Sequence, residues 1–338
     1  MNYLSKGGDK YDLLKVTLSI LIVLLHTRPL PNFFFPILRT AVPLFFIISS
    51  FFFFNKIQNT NWEFTILSLK RFITRNLYLY LFWFVVLFPV TLYRHSWFEF
   101  GFLMGIIRMI RSFLFGSTFA ASWFIMALVI AVSIVTYASK YVGNWLLVFC
   151  SLIAYIFCSS DANYHYLVEN VPYIKSVFSL IHISIGVPYL SFPVALIWVV
   201  IAKLIAEHQF SLSLSKGLPL LIAALVCLYV ERYIIIGRSW VLDDDCYLSL
   251  LFFCPLFFII VSQCEMYLPY ASTFRKFSTI LYCSHLSILT IIEYALNQLW
   301  SLSINRLYLF IMCFLVSLIL SILLLSLEKK IPILKYAH

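Results

Sequence analysis

Two consecutive stretches decide the architecture: LLKVTLSILIVLLHTRPL, residues Leu13–Leu30, and FFFPILRTAVPLFFIISSFFFF, residues Phe33–Phe54. Each is near the length of about 20 residues that a helix needs to cross a hydrocarbon core. Their only ionisable groups are Lys15, His26, Arg28 and Arg39. Eight more apolar runs follow: Phe72–Tyr93, Ser122–Tyr141, Val142–Cys158, Ile181–Ala206, Gly217–Ile236, Cys246–Cys264, Thr279–Gln298 and Leu307–Leu327. The pattern predicts an all-α integral membrane protein, a bundle of about ten transmembrane helices with no sizeable soluble domain. Residues 1–338 then form a single polytopic membrane domain. The run Trp97–Gly116 carries Glu99, Arg108 and Arg111; it reads as a surface-lying or re-entrant helix outside the span count.

Composition supports this reading. The chain is 63% hydrophobic and 11% charged, and Phe occurs 34 times, whereas soluble domains carry roughly 25% charged residues. Disordered, collagen-like and cytosolic proteins are excluded. The net charge of +10 belongs to orientation and anionic lipid, not to nucleic acid. With the N-terminus in the cytoplasm, 15 of the 24 Lys and Arg, Lys6 among them, fall on the cytoplasmic side and nine on the other. Both termini are therefore expected inside. The polar start, Met1 to Asp12, and the absence of a small-residue cleavage site argue against a removed signal peptide. Eight cysteines scattered through apolar runs, without a C-x2-C pair, predict neither a disulfide framework nor a metal site.

Ionisable groups within a span are costly, which makes each a functional candidate. Lys15 and His26 lie eleven positions apart, three turns plus about 20°, so both project from nearly one face and are about 16 Å apart along the axis. Arg39, seven residues into the next run, reaches a depth comparable with His26, and the two point to one polar chamber. An unpaired guanidinium at that depth needs a task. Pro43 is expected to break a backbone hydrogen bond, with Ser49 re-satisfying the freed group.

At this point the residues resemble a family. Tyr11-Asp-Leu-Leu-Lys15 followed by Leu21-Ile-Val-Leu-Leu-His26 is similar to the opening of the acyltransferase-3 family, in which a basic residue, ten residues and a histidine occupy the first span. VPLFFIISS, Val42 to Ser50, resembles that family's VPLFF-x-x-SG segment. Ser122-Trp-Phe-Ile-Met126 and Tyr282-Cys-Ser-His285 resemble its tryptophan-containing span start and its late Y-x-x-H element. Two positions depart from the pattern: Lys15 stands where arginine is usual, keeping charge without bidentate recognition, and Ser50 replaces glycine.

The resemblance implies an acyltransferase that uses an acyl-coenzyme A donor from the cytoplasm, commonly acetyl-coenzyme A. Its acceptor is a hydroxyl on an envelope or surface glycan, or on a lipid-linked saccharide, and the setting is a bacterial cytoplasmic (inner) membrane. Attack of a hydroxyl on a thioester needs a base, for which His26 is the candidate. Arg39 is the candidate cation for the oxyanion or bound phosphates. Lys15, Lys70, Arg71 and Arg75 are candidates for the coenzyme's phosphates, although the last three also read as ordinary orienting charges. Tyr282 and His285 share a helical face; His285 either orients the acceptor or stabilises the bundle. Trp123 reads as an interfacial anchor or a sugar platform. Glu231 reads as the partner of Arg232, and Asp243-Asp-Asp245 as a solvated run. The alternative function is a transporter or flippase of a lipid-linked saccharide, with His26, Arg39, His285 and Glu293 lining its path without acyl-transfer chemistry.

Overall fold

The computed structural model describes residues 8–296 and 305–338, and within them every regular element is helical. Lys6 and the end of the run expected at Gln298 lie outside the described residues. Helix α1 spans Asp9–Thr27 and stops where Arg28 turns left-handed (φ 51°) ahead of Pro29, its N–H bonding the Leu24 carbonyl. Pro29 could not continue the helix. Two short turns follow, Asn32–Phe34 and α2 (Phe35–Leu38), before α3 (Ala41–Ile57). Pro43 is the third residue of α3, where a backbone N–H has no intrahelical partner anyway. The expected broken bond is therefore absent, and Ser49 is free for another role.

Helix α4 (Trp62–Val86) begins ten residues before the apolar run expected at Phe72, with the Asn61 side chain accepting from the Phe64 N–H. It meets α5 (Phe88–Arg94) at a bend of 72°, just where Pro89 sits in the first turn of the new helix. Gly101 at φ +95° reverses the chain into α6 (Phe102–Phe115). Gly105 has the Phe98 ring lying on its bare Cα, where a Cβ has no room. At 14 residues α6 is too short to cross, and Leu103, Ile107, Ile110 and Leu114 form an exposed apolar stripe along it.

Helices α7 (Trp123–Ala138), α8 (Asn144–Asp161), α9 (His165–Val168), α10 (Ile174–Ser184) and α11 (Phe192–His208) come next. The expected run Ile181–Ala206 is not one helix: Gly186 at φ +84°, Pro188 and Pro193 interrupt it, with a 44° bend. The last elements are α12 (Leu214–Gly237), α13 (Leu250–Gln263), α14 (Ala271–Tyr294) and α15 (Arg306–Leu327). Among the described residues, five helices are long and apolar enough to cross a membrane, or seven if each bent pair is one span. That is fewer than ten, because α7 and α13 are short and α1 opens on Asp9, Lys10, Asp12 and Lys15. Phe46, Trp198, Tyr155 and Phe258 lie in the main core, with α11 packed against α3, α7 and α8.

Candidate active site

Helices α1 and α14 run side by side and in the same direction, joined by polar contacts in matching order. Asp12 Oδ1 lies 3.2 Å from Arg275 Nε. Seven residues on, Ser19 Oγ lies 2.7 Å from Ser278 Oγ and donates to the Ser278 carbonyl. After another seven, the His26 ring faces the His285 ring with centroids 5.4 Å apart. A seven-residue step is two turns, about 10.5 Å. The seam thus fixes both the depth of the histidine pair and the face each ring presents.

The two histidines differ in what holds them. His285 is buried, and its Nδ1 sits 2.7 Å from the Tyr282 carbonyl and 3.2 Å from that of Leu281. A carbonyl only accepts, so the proton is on Nδ1 and Nε2 keeps its lone pair. That Nε2 is buried without a partner. His26 is exposed although Val23, Leu25 and Thr27 around it are buried. The cations acting on His26 are Arg39, Arg94 and Arg28. Arg94 Nη1 donates to Thr290 Oγ1 at 2.7 Å, beyond His285 on α14. It makes no ion pair among the described residues, and nothing in its local sequence marked it for this position.

On the Lys15 side a cavity of about 410 Å³ opens between α1, α3, α4, α7 and α14. Its polar wall includes Lys15, Arg75, Arg275, Lys276, Ser49 and His338. The cations are not equivalent. Arg275 is paired with Asp12, and Lys276 Nζ donates to Glu328 at 2.8 Å. Lys15 and Arg75 carry no ion pair among the described residues, and Lys15 lies over the Phe52 ring at 5.6 Å. Lys70 and Arg71 line a neighbouring cleft that shares Arg75 and His338 with the cavity. His338 reaches this rim because Trp83 Nε1 donates to the Ala337 carbonyl at 3.0 Å, pinning the C-terminal turn to α4. The hydrogen bond from Lys276 holds the Glu328 carboxyl below its ordinary range, and burial lowers the His338 imidazole.

The cavity ends against aromatic rings. Phe45, Phe124 and Tyr282 pack with centroids 5.5–5.9 Å apart, and the Tyr282 ring is 6.1 Å from that of His285. Tyr282 Oη donates to the Ala121 carbonyl at 2.7 Å, which commits its proton. Tyr282 thus both lines the basic cavity and meets the ring of His285.

Arg39 is not the unpaired guanidinium expected. Its Nη1 donates to Asp245, and its Nη2 lies 3.5 Å from Asp243 Oδ1. Two carboxylates against one guanidinium leave no net positive charge for an oxyanion. The same contacts correct the reading of Asp243-Asp-Asp245 as solvated: Asp245 is mostly buried, and Asp244 accepts from Tyr247 and lies 3.6 Å from Arg232. Glu231 is not the partner of Arg232. It accepts from the Leu248 and Ser249 N–H groups, the Ser249 hydroxyl and Tyr164, closing the start of α13. Trp123 lines a small cavity of about 40 Å³ with Arg39 and Leu25. Glu293 lies apart, 3.5 Å from Arg306 in an exposed pair. Of the four residues expected along a transport path, the structure thus brings His26 and His285 together and gives Arg39 and Glu293 partners of their own.

A family model described as an acyltransferase domain matches residues 9–326, nearly the whole chain. An amino-acid racemase of Enterococcus faecalis is 22% identical over 183 residues, half of this chain and 25% of that protein. The chain therefore spans about a quarter of the length of the curated relative it matches. No solved structure matches.

Proposed function

The chain belongs to the acyltransferase-3 family of membrane acyltransferases, and from that premise we propose that it moves an acyl group, acetyl in the first instance, from acyl-coenzyme A to a glycan hydroxyl. The observation that carries the reading is the pairing of His26 with His285 behind a cavity whose two unpaired cations are Lys15 and Arg75. Coenzyme A brings a 3′-phosphate and a diphosphate. Lys15 and Arg75 receive them, with Arg275 and Lys276 exchanging their carboxylate partners for phosphate, and Lys70 and Arg71 attract the donor to the entrance. The thioester then points past Phe45 and Phe124 toward the histidines.

His26, the accessible ring, takes the proton of the acceptor hydroxyl as its oxygen attacks the thioester carbonyl. The C–S bond breaks, and the proton on His26 passes to the leaving thiolate, so that coenzyme A departs as its thiol. His285 is a positioning residue: its unpartnered Nε2 lone pair is available to accept from His26 once substrate is bound, which would fix that ring. Arg94, beyond the pair and without a carboxylate, supplies the positive field for the developing oxyanion. Arg39 acts at one remove, holding the Asp243–Asp245 loop against the helix end that carries His26. Tyr282 and Trp123 shape the walls.

For the membrane arrangement we count α1, α3 with its leading turns, α4 with α5, α7, α8, α10 with α11, α12, α13, α14 and α15 as ten crossings. Both termini then lie in the cytoplasm of a bacterial inner membrane. The parallel course of α1 and α14, first and ninth in that order, agrees with this count. The racemase name describes a protein three-quarters of which lies outside the match, and its activity does not transfer. The test is mass spectrometry of surface glycans from cells with and without the gene. A mass difference of one acyl group per repeat is expected; identical glycans under conditions where the protein is in the membrane would contradict the reading.

A further inference from the structure

A second cavity, of about 440 Å³, is lined by the loop before α6, by α6 itself and by the stretch between α10 and α11. Its polar wall is formed by His95, Arg108, Arg111, Ser112 and Ser117, with Trp97 beside them. The chain ties it to the candidate active site. Arg94 grips α14 at Thr290, five residues or about 7.5 Å past His285, and the next residue, His95, already belongs to the cavity. His95 stacks on Trp97, centroids 4.5 Å apart and 7° between planes, and its Nε2 donates to the Thr118 carbonyl at 3.0 Å. Burial lowers the His95 pKa, so the wall's positive charge comes from the two arginines.

We propose that this cavity is an anion subsite for the acceptor and that the group it takes is a phosphate ester. The inference rests on the acyltransferase reading above and names the acceptor class for it. Arg108 and Arg111 stand one turn apart on α6, so both guanidinium groups reach the same space. Arg111 spends one nitrogen, Nη1, on the His182 and Ile183 carbonyls at 3.3 and 3.1 Å, which caps the end of α10. Beside its remaining N–H groups, the Ser112 and Ser117 hydroxyls line the same cavity. A tetrahedral dianion with three or four acceptor oxygens matches that donor set better than a planar carboxylate does. On the adjoining face of α6 the stripe Leu103, Ile107, Ile110 and Leu114 is exposed. A helix of this kind lies in the plane of the membrane interface, which sets the cavity at the depth of lipid-borne phosphates. The phosphate can therefore be that of a lipid-linked saccharide or one carried within a glycan.

Binding is measured on the full-length protein in phosphatidylcholine nanodiscs, without any acyl donor, by tryptophan fluorescence titration. The probes are inorganic pyrophosphate and farnesyl diphosphate, and Trp97→Phe identifies the signal from the cavity. Saturable, salt-sensitive binding is expected, about tenfold weaker in Arg108→Gln and in Arg111→Gln and unchanged in Lys216→Gln. Arg111→Lys, which keeps the charge, restores part of the affinity and checks that loss of the α10 cap is not the cause. Tighter binding of farnesyl diphosphate than of pyrophosphate assigns a lipid-linked source; equal binding assigns a glycan phosphate. Affinity unchanged in both arginine variants overturns the subsite. Complete loss of pyrophosphate binding in nanodiscs containing phosphatidylglycerol also overturns it, in favour of a structural lipid. No acyl transfer enters this readout: a protein that binds the probes without transferring acyl groups keeps the subsite and loses the enzyme reading, and transfer without probe binding does the reverse.

Discussion

Arg39 and Asp245 offer a perturbation whose outcome separates support of the site from direct action in it. Their side chains are 13% and 16% exposed, whereas Asp243 is 41% exposed, so nearly all the energy at stake lies in the Arg39–Asp245 contact. An exposed pair contributes about 0–1 kcal/mol. Removing one member of a buried pair strands the other charge in a poor solvent and costs about 3–5 kcal/mol. Arg39→Met and Asp245→Leu should each lower the thermal midpoint by on the order of 10 °C. The double variant, which removes both charges, should recover most of that, since apolar replacement of a whole buried pair is often neutral or stabilising. The assay is thermal unfolding in detergent followed by tryptophan fluorescence, together with acyl transfer per folded molecule. If Arg39 acts through the Asp243–Asp245 loop, activity returns with stability in the double variant to within about tenfold of wild type. A double variant that is stable yet as inactive as Arg39→Met would place the guanidinium on the substrate, and an Arg39→Met protein as stable as wild type would refute the burial argument itself.

Three other outcomes follow from the cavity and its rim. Lys15→Ala should raise the apparent KM for acyl-coenzyme A with little change in kcat, and Lys15→Arg should be tolerated because it keeps the charge and adds a fork; a fall in kcat alone in a donor titration would move Lys15 out of the donor site. Phe124→Ala opens the aromatic partition next to Phe45 and Tyr282, so the ratio of butyryl- to acetyl-coenzyme A use should rise by about tenfold or more, and an unchanged ratio would show that the partition does not limit the acyl group. Glu328, whose folded pKa is depressed by Lys276, stabilises above its ordinary unfolded value and ceases to do so as pH falls through the folded one. Glu328→Gln should accordingly be less stable than wild type at pH 7, by less than about 1 kcal/mol, and indistinguishable from it near pH 3; a difference that persists in acid would contradict the assignment.

Much of the helical plan was legible because a membrane helix satisfies its own backbone and advertises its length as an apolar run. His26 was legible for a related reason, since a titratable ring in such a run stands out. The places where the reading failed share a cause in long-range contacts. Asp245 lies 206 positions from Arg39, and no local pattern shows that an acidic run will fold back onto a buried guanidinium. The rim formed by Arg275, Lys276 and His338 depends on two parallel helices from opposite ends of the chain and on a C-terminal turn held by Trp83. The seven-residue spacing of Asp12, Ser19 and His26, repeated by Ser278 and His285, was present in the sequence and could have revealed the α1–α14 seam. The bends at Leu87 and Ile185–Ser191 carried their own signals in Pro89, Gly186, Pro188 and Pro193, which a continuous hydropathy run conceals.

The central claim is that His26, set by His285, performs the proton transfer. It is tested most directly by acyl transfer across a donor titration in membranes containing wild type, His26→Gln or His285→Gln at matched levels. His26→Gln should lose about 10²–10⁴-fold in kcat with an unchanged donor KM, and His285→Gln should lose less while shifting the pH profile of the remaining activity. Near-normal turnover in His26→Gln would contradict the account.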